Sequence, residues 1–277
     1  MNTIDPIKED IALKEYIDNG RGQSYVMNKA KINLKELKEI LEKNGYHLRN
    51  RHEAIVAANK GRNLLSNHNY FHEESANMAW LMGFLAADGS IEKDRNVIKL
   101  GLSSVDRDIL EKIRQEINLK SEVKNYITAK GFSVSKLQWS SETHKKDLAS
   151  YGIIPEKTFK LKPPYKLNKK YWIDYIRGYF DGDGSIVLNE NNYNTLTWEI
   201  GSATKDILEF IRDFLTEEYG IPYVNIYETQ RKEKFYLLMY STNSAIQLYN
   251  IMYYKEDILY LPRKKEKYTS LIQKKIK

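Results

Sequence analysis

The chain has 277 residues, with 44 Lys and Arg against 37 Asp and Glu, a formal net charge of +7 and no cysteine. Absence of cysteine excludes a disulfide scaffold, a Cys-ligated zinc site and a thiol nucleophile, and no run of eighteen apolar residues exists to span a membrane. Met1 to Asp10 is acidic, without the apolar core of a secretory signal or the arginines of a transit peptide, so a cytoplasmic or nucleoid-associated location is expected.

The elements follow in chain order. Residues 1–69 are expected to form a small helical module. Ile11, Leu13, Tyr16 and Ile17 mark a first helix ended by Asn19-Gly20, and Gln23 to Ala30 a second. Asn33 is a good N-cap for a third helix carrying Leu34, Leu37, Ile40 and Leu41, stopped by Asn44-Gly45. Short helices, a tight turn and a basic stretch from Arg49 to Arg62 resemble a helix-turn-helix in style, which points to DNA contact through residues such as Arg49 and Arg51. A helical cap packed on the rest of the chain is the alternative. Beyond it, residues 75–88 show helical periodicity, Asn96–Ser103 alternates as a strand, and Val105–Ile117 returns to helical spacing. Strands are expected over Glu122–Ile127 and Phe132–Ser140, and a short helix over Glu142–Tyr151. Pro163 and Pro164 mark a link. A second series follows: helix 171–182, strands at Ser185–Leu188 and Thr195–Ile200, helix Lys205–Tyr219, strands Val224–Glu228 and Phe235–Ser241, and helix Asn243–Met252.

This second series repeats the first. Residues 79–90 read AWLMGFLAADGS and residues 174–185 read DYIRGYFDGDGS, with Asp183 following Asp88 by 95 residues. DILEKIR at 108–114 returns as DILEFIR at 206–212, a spacing of 98. Two ordered blocks at nearly one spacing indicate a duplicated αββαββα unit, over 70–165 and 166–277, in an α+β fold with pseudo-two-fold symmetry.

The small residues Gly83 and Ala87, and again Gly178 and Gly182, lie four apart on one helix face and allow close approach of two helices. Packed together, these helices would bring Asp88 and Asp183 to one place at their negative ends, an arrangement that calls for a cation. Two carboxylates with room for phosphate oxygens and water suit Mg²⁺, or Mn²⁺ in its place. The plain alternative makes Asp-Gly-Ser a helix stop, with Gly89 and Gly184 in the left-handed region. An EF-hand loop at Asp181 is rejected, because Asn192 stands where its bidentate Glu is required. His47, His52, His68, His72 and His144 form no zinc-binding pattern.

LMGFLAADG at Leu81–Gly89 and IRGYFDGDG at Ile176–Gly184 resemble the signature of the LAGLIDADG (dodecapeptide) homing endonucleases, in the single-chain, two-motif class. The resemblance spans roughly residues 70–277. It departs from a simple match at the sixth signature position, Ala86 in one unit and Asp181 in the other. It implies signature helices at the interface of the halves, and Asp88 and Asp183 as metal ligands. It also implies two sheets forming a saddle in the major groove of a long, pseudo-palindromic DNA target, which is cut in both strands. The family's basic catalytic residue would be Lys136 in the first half and Lys234 in the second, on the expected fourth strands. Base readers of suitable type are Gln138, Gln230, Arg231 and Tyr236.

The charge is segregated: residues 21–62 and 261–277 each carry a net +6, whereas 76–260 balance to zero. A phosphate backbone rewards such clusters by counterion release, so Arg263, Lys264 and Lys265 are expected on DNA, in a closing helix running to Lys277. The two acids argue against a pure binder but leave a maturase open; the resemblance implies a monomeric protein of the intron-homing kind. An RNA-binding intron maturase and an inactive DNA-binding regulator are the alternatives. An intein is unlike this chain, which starts Met-Asn and ends Lys-Ile-Lys.

Overall fold

The structure is a computed structural model describing residues 5–276 apart from 52, 56, 58–64, 66, 190–194 and 230–232. Two compact units divide at Leu64–Leu65.

The first unit contains α1 (Pro6–Leu13), α2 (Gln23–Ala30) and α3 (Leu34–Lys43). Helix α1 runs on into a π turn at Lys14–Asp18, and Gly20 then reverses the chain in the left-handed region with φ 64°. Asn33 and Glu36 form a reciprocal capping box at the start of α3, each side chain accepting the other's backbone N–H. Ala12, Tyr16, Val26, Ala30, Leu37, Ile40 and Leu41 form a core of their own. The stripe on α3 is what its i, i+3, i+4 spacing predicts.

The second unit opens with α4 (Ala76–Asp88), capped by the Ser75 hydroxyl, which accepts the Met78 N–H. From Met78 to Ala86 every residue of α4 is buried, as a helix apolar all round must be. Next come β1 (Gly89–Ile91), β2 (Val97–Ser103), α5 (Arg107–Glu116), β3 (Lys124–Ile127), β4 (Ser133–Ser140) and α6 (Glu142–Ser150). The repeat follows as α7 (Trp172–Asp183), β5 (Gly184–Asn189), β6 (Thr195–Ser202), α8 (Lys205–Tyr219), β7 (Tyr227–Glu228), β8 (Tyr236–Ser241) and α9 (Thr242–Met252). Helix α10 (Pro262–Ile276) closes the unit.

Both sheets are four-stranded and antiparallel in equivalent order, β1-β2-β4-β3 and β5-β6-β8-β7. The fold is thus α+β and duplicated. Alternation decides which sheet face is covered: Ile98, Leu100, Leu137 and Trp139 point inward from the first sheet, and Trp198, Ile200, Leu238 and Tyr240 from the second. One core joins these faces to α4, α7 and the amphipathic helices.

Three expectations are corrected. The first repeat has an additional short strand, β1. Tyr227–Glu228 alone remains of the strand expected from Val224. Lys234 precedes β8, which starts at Tyr236, so it is not on the fourth strand.

Candidate active site

Helices α4 and α7 meet backbone to backbone. A Cβ at Gly83 would lie 2.0 Å from the Tyr175 carbonyl oxygen, and one at Gly178 would lie 2.0 Å from the Trp80 carbonyl oxygen. Tyr175 and Trp80 are themselves 95 residues apart, so the two contacts are a pseudo-symmetric pair. One turn on, a Cβ at Gly182 would stand 2.3 Å from that of Ala87 and 3.3 Å from the Asp88 Oδ2. The four small residues therefore line the crossing, and the helices end together. Gly89 and Gly184 are extended, with φ of −73° and −77°, not left-handed. Glycine is needed there for space: a Cβ would meet the Leu85 carbonyl at 2.5 Å and the Phe180 ring at 2.1 Å.

Asp88 and Asp183 are the last residues of these helices, and both remain open to solvent although the helices are buried. Lost hydration raises the Asp183 carboxyl to about 6, and the Asp88 charge adds to the rise; Lys157 and Lys264 oppose it. Asp88 is raised for the same first reason, with Lys264 and Lys157 again opposing.

Those two lysines are the feature the sequence reading missed. The Lys157 ammonium donates to the carbonyl oxygens of Ala87 (3.2 Å) and Gly89 (2.6 Å). Lys264 donates to those of Phe180 (2.8 Å), Gly182 (3.3 Å) and Gly184 (2.6 Å). Ala87 and Gly89 correspond to Gly182 and Gly184 in the repeat, so the lysines are equivalent and each caps the negative end of its own signature helix. Burial lowers both, Lys264 to about 8.

The residues proposed from sequence for this role are not equivalent to each other. Lys136 faces Gly101 across the first sheet, and Leu237 faces Gly201 across the second, so the counterpart of Lys136 is Leu237. Lys234 instead lines a cavity of about 520 Å³ with Asp183, Lys157, Tyr179, Ser202 and Phe235. The cations of the closing basic run, expected on DNA, also have partners within the chain. Arg263 holds the buried Asp106 with Nε at 3.0 Å and Nη2 at 2.9 Å, Lys264 caps α7, and Lys265 pairs with Glu256 at 3.1 Å. Gln138 is exposed on β4, and Tyr236 is half-buried on β8. Gln230 and Arg231 lie outside the described residues.

The odd sixth position has a structural use. Asp181 is fully buried and accepts hydrogen bonds from Trp80 Nε1 (2.8 Å), the Tyr253 hydroxyl (2.9 Å) and the Leu261 N–H (2.9 Å). It joins α4, α9 and the lead into α10, and it is turned away from any ligand role. His144 is likewise a core residue, accepting from Trp139 Nε1 at 3.1 Å, with Nε2 2.9 Å from the Asn67 carbonyl oxygen.

In the first unit, Arg49 ties the following segment down: its backbone N–H donates to the Tyr16 hydroxyl at 2.9 Å, and its guanidinium covers the Tyr16 ring. It lines a cleft of about 340 Å³ with Arg21, Gln23, Ser24 and the exposed Arg51; no acidic side chain is among the described residues that line it.

Among the described residues no three His, Asp or Glu side chains converge on a metal position. The pair of aspartates remains a chemically suitable donor set for Mg²⁺, which takes one or two carboxylates and fills its other positions with phosphate oxygens and water. Burial raises both carboxyls and the Asp88 charge adds to the rise at Asp183; a bound cation would favour the ionised form of each.

Comparison with known proteins bears on the same segments. A family model described as the LAGLIDADG-like domain matches residues 75–149 and 173–252. An uncharacterized protein of Methanocaldococcus jannaschii, MJ0314, is 24% identical over 195 residues, covering 68% of each chain. Among solved structures, the homing endonuclease I-WcaI bound to its DNA recognition sequence is 14% identical with a TM-score of 0.49, covering 82% of this chain and 97% of its own. The meganuclease I-SmaMI bound to uncleaveable DNA is 13% identical with a TM-score of 0.47, covering 73% and 91%.

Proposed function

Because the chain belongs to the LAGLIDADG family, we propose that it is a site-specific endonuclease that hydrolyses one phosphodiester in each strand of a DNA duplex. The observation that carries the reading is the doubled site: two aspartates meeting at the crossing of α4 and α7, each beside an equivalent buried lysine. A purely binding protein gains nothing from two acids crowded at one point. Two equivalent half-sites on one chain match the two antiparallel strands of a duplex and let a monomer address both.

A bound Mg²⁺ or Mn²⁺ would supply a Lewis acid and a water of lowered pKa. Asp88 and Asp183 would hold it through carboxylate oxygens. Lys157 and Lys264 favour the ionised form of both aspartates, so the pair is ready to bind a cation near neutral pH. Their ammonium groups also offset the charge of a phosphate brought against the helix ends. Lys234, on the cavity wall beside Asp183, is positioned to meet the same phosphate group in the second half. The first unit supplies a separate DNA contact through the arginine-lined cleft at Arg21, Arg49 and Arg51.

The test is incubation with randomised and genomic duplex DNA plus Mg²⁺, followed by sequencing of the ends. A single sequence family cut in both strands is expected, with Asp88→Asn and Asp183→Asn abolishing double-strand cleavage while specific binding persists. Full-rate cleavage by both variants would refute the site. Specific binding without any cutting would favour the inactive regulator, and selective binding of intron RNA the maturase.

A further inference from the structure

The two sheets share a backbone plan but not a surface. With Gly101 opposite Lys136 and Gly201 opposite Leu237 as anchors, the registers align position by position. Lys99, opposite Gln138, corresponds to Glu199, opposite Met239. Lys124, opposite Lys136, corresponds to Tyr227, opposite Leu237. Six of these side chains alternate with core positions, and Lys124 and Tyr227 stand directly opposite Lys136 and Leu237, so all eight lie on the faces turned from the core. Every basic or amide side chain on the first face is thus replaced on the second by an acidic, aromatic or aliphatic one. Val187, 46% exposed and opposite Thr197, and Tyr227, 55% exposed, share the second face, while the first carries one exposed aromatic, Tyr126, at 46%.

A sheet face that sets Leu237, Met239 and Val187 beside Glu199 asks for an occupant with both apolar and donor groups. Its position restricts the choice: β1 begins at the residue after Asp88 and β5 at the residue after Asp183, so both faces flank the paired acids. Whatever lies across the acids extends over both sheets. A duplex can satisfy a cationic face through phosphates and guanine edges. It can satisfy an aliphatic one through thymine methyl groups, the main apolar feature of the major groove, and Glu199 can accept from cytosine N4.

We propose that the sheets hold one duplex by opposite chemistries: the first through charge at Lys99, Lys124 and Lys136, the second through thymine methyls against Leu237, Met239 and Val187. This rests on the DNA-binding reading above. The target is then a site whose two halves are unrelated, bound in one orientation only, with thymines concentrated under the second sheet. Lys99 also contacts Glu92, which fixes its ammonium on this face.

The experiment selects duplexes from a random pool with the full chain in EDTA, so that binding is read without cleavage. The thymines of the selected site are then exchanged for deoxyuridine, one half at a time. Removal of methyls in one half should weaken binding by about four-fold per contacted methyl, the burial of roughly one methylene, and by less than two-fold in all in the other half. Leu237→Ala with Met239→Ala should erase that sensitivity and leave the salt slope intact. Lys124→Ala with Lys136→Ala should keep the sensitivity and reduce the slope of log K against log salt by up to about 1.8. Equal deoxyuridine sensitivity in both halves, or sensitivity that survives the aliphatic double variant, overturns the proposal while DNA binding stands. Failure to enrich any duplex overturns both.

Discussion

Replacing Gly83 with alanine puts a methyl group 2.0 Å from the Tyr175 carbonyl oxygen and 2.8 Å from the Tyr179 nitrogen. Close carbon–oxygen contacts in proteins sit at about 3.3–3.6 Å, so the helix axes must part by more than about 1 Å. Both clashing atoms are backbone inside buried helices, and no rotamer change can relieve them. Overpacking of this kind costs about 1–3 kcal/mol, here at the upper end, and the better helix propensity of alanine returns about 0.8–1.0 kcal/mol. A net loss of about 2 kcal/mol is expected, and the same for Gly178→Ala, whose methyl meets the Trp80 carbonyl at 2.0 Å. Because one separation relieves both clashes, the double variant should lose less than the sum. All four tryptophans lie in the second unit, so urea unfolding followed by their fluorescence reports that unit alone. At about 2–3 kcal/mol per molar urea the midpoint should fall by roughly 0.7–1 M. Gly101→Ala, with nothing within 4 Å of the added Cβ, should stay close to the parent. A Gly83→Ala chain as stable as the parent, or a fully additive double variant, would refute this account of the crossing.

Two further outcomes concern the site. The Asp183 carboxyl should titrate near 6 in the metal-free protein, as read by carbon-detected NMR, and Asp88→Asn should lower it, because the Asp88 charge is one of its causes. A carboxyl raised on folding destabilises the folded state once ionised, so its contribution to stability declines as pH rises from about 4 towards 6. Added Mg²⁺ should remove that decline; an unchanged pH profile with Mg²⁺ would count against a metal between the aspartates. Lys264→Met should raise the titration points of both aspartates, Asp88 the more, remove the donor to three helix-end carbonyls and reduce cleavage by more than about ten-fold; Lys157→Met should raise both, Asp183 the more, and remove the donor at the end of α4. Nicking confined to one strand in either single variant is the expected signature on a supercoiled plasmid, and unaltered cleavage of both strands would contradict it.

Much of this was legible because the repeat carries its own evidence. The spacing of Gly83 and Ala87 against Gly178 and Gly182 announced a close helix pair, and the aspartates followed from it. Alternation in β2 and β4 and the stripe on α3 were equally plain. What escaped had no local signal. Strand β1 is three residues long, too short to show a period, and exists only because β2 pairs with it. Lys157 sits in an irregular stretch before Pro163, and the spacing to Lys264 is 107 residues instead of 95, so no repeat search aligns them. Arg263 and Lys265 read from sequence as cations for a phosphate backbone. Only tertiary packing supplies Asp106 and Glu256 as their partners.

The Trp80–Asp181 hydrogen bond makes the two halves interdependent. The equivalent positions across the pseudo-two-fold axis are Tyr175 and Ala86; Ala86 offers no acceptor, and Tyr175 packs its ring edge-on to Phe210 instead. A symmetric dimer of two first halves would strand an indole N–H against Ala86 twice over. A dimer of two second halves would instead set Tyr175 against Asp181 twice over. The first half therefore depends on the second for an acceptor that its own equivalent residue, Ala86, cannot supply.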